Sequence, residues 1–174
     1  MPIVTVVGLG SMEYGVAQAL LRAGFDVFGC DVFGCDGDAD RVARLASEGG
    51  QVAPVAQAAG QSHILVSVVL NAAQTDTVLC GTDGAAGAMQ AGSVNVSCAT
   101  LAPDVARDMA ARAAARGLHY LDAPISGGAA KAAAGQLSIM ASARPPRSTP
   151  LRPRSMRWRR RCTGWGTTRA RGRP

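Results

Sequence analysis

The sequence has few aromatic residues, a single lysine and no long hydrophobic segment. Of its 174 residues, 4% are aromatic, 17% are charged and 48% are hydrophobic. This composition is sufficient for one domain with a packed core but not for two of ordinary size. No apolar run approaches the roughly 18–20 residues of a membrane span, and the first residues lack the basic stretch that opens a secretory signal. We therefore expect a cytoplasmic protein without a membrane partner.

The cysteines form no recognisable cluster. None of the five is part of a C-x-x-C pair, and no histidine stands at metal-ligand spacing from them. We therefore expect neither a disulfide scaffold nor a metal site, and we interpret the cysteines as small buried hydrophobic residues. They are Cys30, Cys35, Cys80, Cys98 and Cys162.

Charge is distributed unevenly between two parts of the chain. Residues 1–143 hold all 12 acidic groups and 7 basic ones, a net charge of −5, whereas residues 144–174 hold 11 arginines and no lysine, a net charge of +11. We place a folded domain at 1–142 and a disordered Arg/Pro-rich tail at 143–174. Because the tail lacks lysine and resembles GC-rich codons read in a shifted frame, we interpret it as out-of-frame sequence. The alternative is a Rossmann-like binding protein with an Arg-rich nucleic-acid-binding tail, although nucleic acid is not the partner we expect.

Apolar strands and amphipathic helices alternate through residues 1–142, which predicts an α/β domain with a doubly wound parallel sheet of the Rossmann type. The sequence DVFGC occurs twice in succession, at 26–30 and 31–35, and is expected to lengthen the loop after the second strand or to extend that strand. The predicted strands are 2–7, 25–30, 64–69, 93–98 and 119–124, and the predicted helices are 11–23, 38–48, 54–59, 72–80, 84–90 and 103–117.

A glycine-rich turn separates the first strand from the first helix. Gly8 permits the tight turn, and Gly10 lets the backbone approach the pyrophosphate of a dinucleotide. The third fingerprint position, normally Gly or Ala, is Glu13, whose bulk and negative charge predict weakened cofactor binding. An acidic residue after the second strand should hold the ribose hydroxyl; Asp31 is slightly favoured over Asp36, and either could be a solvated loop carboxylate.

Polar residues follow three later strands. Asn71 and Thr100 lie where ligands bind open α/β sheets, but each could equally cap the helix that follows. In the segment Asp122-Ala123-Pro124-Ile125-Ser126-Gly127-Gly128, a hydroxyl and two glycine amides are suited to the carboxylate of a small oxyacid.

These segments together resemble the β-hydroxyacid dehydrogenase family. The runs VVGLGSMEYGVAQALLRAGFDVFGCD, VSVVLNAAQT, SCAT and YLDAPISGGAAKAAAGQLSIMAS are most similar to its L-threonate dehydrogenase branch. The resemblance implies that NAD, rather than NADP, is the cofactor and that a small hydroxy acid is the substrate, with Ser126, Gly127 and Gly128 holding its carboxylate. The implied cofactor-binding residues are Gly8, Leu9, Gly10, Ser11, Met12, Asp31, Asn71 and Thr100.

The resemblance also implies features that this sequence lacks. The family uses a catalytic lysine in a G-x-G-x-x-x-K helix entry, followed by an all-helical domain that completes the substrate site and the dimer. The only lysine here, Lys131, follows the serine–glycine–glycine motif too closely and is expected to belong to its loop. We therefore expect the NAD-binding domain of an oxidoreductase, as a fragment without a catalytic residue, with the family's dimer not preserved.

Overall fold

The computed structural model describes residues 2–30 and 38–142. In this part of the chain the strands are β1 Ile3–Val7, β2 Asp26–Cys30, β3 Gln51–Val52, β4 Ile64–Ser67, β5 Val94–Ser97, β6 His119–Asp122, β7 Ile125–Ser126 and β8 Ser138–Ile139. The helices are α1 Ser11–Arg22, α2 Asp38–Ser47, α3 Val55–Gln61, α4 Ala72–Cys80, α5 Ala85–Ala88, α6 Pro103–Ala114 and α7 Gly128–Ala133.

Six strands form one parallel sheet in the order β3-β2-β1-β4-β5-β6. The chain proceeds from β1 to one edge, returns to place β4 on the other side of β1, and continues to the opposite edge. The strand order therefore reverses between β1 and β4, where ligands bind in folds of this kind. The predicted doubly wound Rossmann-type sheet is confirmed.

The sheet is covered on both faces, which explains its continuous hydrophobic strands. Val6 packs with Leu9 and Leu45 in a cluster beneath α1 and α2. The next residue, Val7, packs on the opposite face with Leu65 and with residues of α3 to α6. Successive residues of β1 thus belong to different core clusters, as the two-residue repeat of a strand requires.

Most predicted elements are present, with ends displaced by a few residues. Helix α6 ends at Ala114 rather than near residue 117, and Gly117 has a φ of +73° that ends the helical run. The elements missed by sequence analysis are the short β3, β7, α7 and β8. The expectation that Lys131 belongs to a loop is wrong: it lies in the last turn of α7, where neighbouring alanines favour helix.

Several predictions fall outside the described residues. Asp31, Asp36, the second DVFGC copy and the segment 143–174 are among them, so the domain boundary at 142 stays a prediction. Within the described ranges, no helix has the length and apolarity needed to cross a membrane. The same ranges contain no cluster of three potential metal ligands.

Candidate functional site

The carboxyl ends of the central strands meet along one edge of the sheet. The parallel pairing continues one residue beyond these strands, with N···O distances of 2.8–3.0 Å. In each case the first residue after a strand donates its amide to a neighbouring strand: Gly8 to Cys30, Val68 to Val7, Cys98 to Ser67 and Ala123 to Ser97. The loops that carry the candidate residues therefore start side by side.

The turn after β1 requires glycine at its first position. Gly8 has a φ of +97°, and a Cβ atom there would lie 2.6 Å from the carbonyl oxygen of Val68. The β4 loop therefore closes tightly against the turn. Leu9 follows with its side chain fully buried in the core beneath α1 and α2, so only its backbone is left for a ligand.

Helix α1 begins at Ser11 with no side-chain cap from Gly10. The first amides of a helix have no acceptor within the helix, and they form a binding site for anions. Here the Met12 N–H donates to Oε2 of Glu13 at 3.0 Å. A Cβ atom at Gly10 would lie 2.5 Å from the same oxygen, so the carboxylate folds back over the turn.

The backbone of the turn therefore fits a dinucleotide, but the Glu13 side chain over the turn does not. The glycines, the helix start and the position beside the strand-order reversal are those that a pyrophosphate requires. The space over Gly10 is filled by a carboxylate that repels phosphate. Glu13 is therefore the one residue of the turn that does not fit the cofactor.

Arg41 is a site residue that sequence analysis missed. From α2 its guanidinium reaches the turn, with Nη1 donating to the Leu9 carbonyl at 3.4 Å and Nη2 to the Ser11 hydroxyl at 3.3 Å. These two contacts place the guanidinium against the turn. The sequence shows only that a basic residue lies in the helix after β2. It does not show that the side chain of this residue points toward the glycine-rich turn.

Asn71 and Thr100 lie on exposed loops after β4 and β5. Asn71 caps α4, because its Oδ1 accepts the Gln74 amide at 3.0 Å. The capping interpretation is confirmed for Asn71 and wrong for Thr100, because the N-cap of α6 is Ala102 with no side-chain hydrogen bond. Contact of Asn71 and Thr100 with a cofactor stays a prediction. Leu70 beside it is 82% exposed, an unusual position for a large apolar side chain.

Polar side chains form a buried row at the β5–β6 end of the sheet. The register pairs Asn95 with Tyr120 and Ser97 with Asp122. Among the described residues, the Asn95 side-chain amide and one Asp122 oxygen lack hydrogen-bond partners. Burial raises the pKa of the Asp122 carboxyl above its usual range. The ionised form of Asp122 is therefore disfavoured where it stands.

The serine–glycine–glycine motif lies on a small unit beyond β6. Ser126 is exposed in β7, Gly127 and Gly128 have φ values of +141° and +76°, and α7 follows directly. Helix α7 packs on α1 at Gly15, where a Cβ atom would lie 2.6 Å from the Ala133 nitrogen. Contact between α1 and α7 thus holds the second glycine motif against the helix that starts at the first.

Two buried cysteines border the site. Burial raises the pKa of both Cys30 and Cys98 to about 12, and the Glu13 charge adds to the effect at Cys98. Both thiols are buried, as predicted from the sequence, and Cys80 is half-buried.

Known proteins match this arrangement over most of its length. The sequence profile described as the NAD binding domain of 6-phosphogluconate dehydrogenase matches residues 3–165. L-threonate dehydrogenase of Cupriavidus necator is 44% identical over 138 residues, which are 79% of this chain and 45% of that protein. The chain belongs to the β-hydroxyacid dehydrogenase family. It carries the family's NAD-binding domain.

Solved structures of the family share the fold. The crystal structure of 3-hydroxyisobutyrate dehydrogenase from Salmonella typhimurium has a TM-score of 0.73 and 40% identity, covering 81% of this chain and 48% of that one. The structure of Psf3 in complex with NADP+ and 2-OPP has a TM-score of 0.72 and 25% identity, covering 82% and 49%. The chain thus spans about half the length of the relatives it matches.

Proposed function

We propose that this chain is the dinucleotide-binding unit of a dehydrogenase that acts on a small hydroxy acid such as L-threonate. The observation that supports this proposal is the aligned strand ends, where the Gly8–Gly10 turn and the exposed start of α1 adjoin the point at which the strand order reverses. We further propose that the 174 residues alone do not transfer hydride.

In this proposal the pyrophosphate lies against the amides of Gly10, Ser11 and Met12. Asp31 binds the ribose hydroxyls, and this contact selects NAD over NADP. Asn71 and Thr100 bind the nicotinamide end, because their loops follow the next two strands along the same edge. Because a structural relative was solved with NADP+, the preference between NAD and NADP has to be measured.

The substrate assignment is supported by the second glycine motif and by the relatives. Ser126, Gly127 and Gly128 are exposed, and their hydroxyl and amides can donate to a carboxylate. L-threonate dehydrogenases are 35–44% identical to this chain over 138–144 residues. We therefore propose a sugar acid of the L-threonate type as the substrate of the intact enzyme.

The absence of turnover is proposed from acid–base chemistry. Nicotinamide accepts the hydride when bound, while the hydroxyl proton must pass to a positioned base, which contributes about 10²–10⁴-fold to the rate. The chain's single lysine, Lys131, is exposed on α7, outside the motif that carries the family's base.

Two measurements on the purified chain test this proposal. Titration of NADH and NADPH, followed by nicotinamide fluorescence, should show saturable binding with NADH preferred. Addition of L-threonate and NAD should give no absorbance increase at the wavelength of NADH. Failure of both nucleotides to bind to wild type and to the Glu13→Gly variant would refute the binding function, and turnover would refute the second part.

The proposed role of Asn71 in nicotinamide binding can be separated from its role as the N-cap of α4. Asn71→Ser keeps a side-chain oxygen that can accept the Gln74 amide, removes the side-chain NH₂ group and adds no charge beside the start of α4. If Asn71 binds the nicotinamide end, this variant keeps its melting temperature and binds NADH several-fold more weakly. Unchanged binding would leave Asn71 as a helix cap alone.

A further inference from the structure

The glycine-rich turn contains an anion that belongs to the chain itself. Oε2 of Glu13 accepts the Met12 amide at 3.0 Å, and the same oxygen lies 2.5 Å from the place of a Gly10 Cβ. The Glu13 Cγ lies 3.2 Å from the place of a Gly8 Cβ. One side chain therefore occupies the space that both glycines leave open.

The contact has a clear physical cause. Met12 is the second residue of α1, so its amide has no carbonyl acceptor within the helix. Gly10 provides no side-chain cap, and a negative charge is favourable beside the start of a helix. The carboxylate of Glu13, the third residue of α1, accepts this amide instead.

We propose that Glu13 is a built-in competitor for the phosphate-binding turn and the residue that sets dinucleotide affinity. This inference rests on the proposed dinucleotide binding. A pyrophosphate needs the same amide and the same space, so it must displace the carboxylate and then remain beside its charge. Phosphate binding and the Glu13–Met12 hydrogen bond exclude each other.

Three variants separate the effect of the Glu13 charge on dinucleotide affinity from the effect of its bulk and from the effect of the overall charge of the domain. Glu13→Gly removes both obstacles and should bind NADH at least tenfold more tightly than wild type. Glu13→Gln removes the charge, keeps the bulk and should bind with intermediate affinity. Glu48→Gln removes the same charge at the end of α2, where Glu48 contacts Gln18 and Arg44, and should bind like wild type.

A second measurement does not depend on the nucleotide. Hydrogen exchange of the Met12 amide, measured by NMR without ligand, should be several-fold faster in Glu13→Gly than in wild type. The amide of Tyr14, which donates to the Gly10 carbonyl at 2.9 Å, is the internal control for fraying of the whole first turn. It should keep its exchange rate.

Each outcome bears on one of the two claims. Equal NADH affinity of wild type and Glu13→Gly, or an equal gain in Glu48→Gln, would overturn the competitor role and leave dinucleotide binding intact. Absence of binding in every variant would overturn the proposed function, and faster Met12 exchange would then still establish that Glu13 occupies the turn. Unchanged Met12 exchange would overturn the occupancy itself.

Discussion

The two glycine motifs of this domain differ in how tightly they are enclosed. At Gly8 a Cβ atom would meet the Val68 carbonyl at 2.6 Å, whereas at Gly128 it would meet nothing within 4 Å. Both residues have a positive φ, +97° and +76°. The first turn is packed against backbone, while the second has open space at Gly128 and flexible side chains beside Gly127.

This difference shows that a position can require glycine for two separate reasons, close packing and backbone conformation. In the first turn, glycine admits the backbone of the loop after β4, and the side chain of Glu13 folds over the turn. In the second, a Cβ at Gly127 would meet only side chains, Lys131 and Leu137, at 3.0–3.2 Å, and one at Gly128 would meet nothing within 4 Å. Substitutions at the two motifs should therefore differ in energy as well as in function.

The largest expected effect is that of alanine at Gly8. A left-handed conformation costs a non-glycine residue about 1–2 kcal/mol, and overpacking against a fixed backbone adds about 1–3 kcal/mol. We expect Gly8→Ala to lower the free energy of unfolding by about 3 kcal/mol and Gly128→Ala to lower it by about 1 kcal/mol. Urea unfolding of both variants measures the difference, and equal losses would show that the turns are equally enclosed.

Alanine at Gly15 tests the contact that joins the two motifs. A Cβ there would lie 2.6 Å from the Ala133 nitrogen and 2.9 Å from the Ala132 Cβ, so α7 must move. Alanine gains about 1 kcal/mol of helix propensity but loses about 1–3 kcal/mol by overpacking. We expect a net destabilisation of about 1 kcal/mol.

Gly60 in α3 is the matched control for this substitution. Its Cβ would meet only the Ala88 carbonyl, at 3.6 Å, an ordinary contact. Gly60→Ala should therefore stabilise the domain by several tenths of a kcal/mol, on the order of the helix propensity gain. The opposite signs of the two variants, measured by the same unfolding experiment, would locate the cost at the contact between α1 and α7.

The first motif was predictable from sequence and the second only in part. A β-branched run, then Gly8 and Gly10, then an amphipathic helix predicts a strand, a turn and a helix, and the structure has them in place. Helix α7 has six residues, Gly128–Ala133, too few for a periodic pattern to develop. Strands β7 and β8 have two residues each and give no alternation to read.

Sequence patterns do not predict the directions in which side chains point. The bulk and charge of Glu13 were evident from its fingerprint position, but its hydrogen bond to Met12 depends on the side-chain conformation. The approach of Arg41 to Leu9 depends on where α2 lies relative to the turn. Pairing of Asn95 with Tyr120 follows from the strand register, which hydrophobic patterns do not specify for strands buried on both faces.

The smallest expected effect concerns Asp122, which precedes the second motif. Its pKa is raised by burial, so between its ordinary pKa, about 3.9, and its folded value the native state binds more protons than the unfolded state. Stability falls as pH rises through this window, and above it the full penalty for ionised Asp122 remains. Asp122→Asn should be more stable than wild type at neutral pH, with the gain vanishing at acidic pH where the carboxyl is protonated in both states. Thermal unfolding of both proteins across this pH range tests the sign of the stability change. Lower stability of Asp122→Asn at neutral pH would contradict the prediction and would mean that the carboxylate has a stabilising partner.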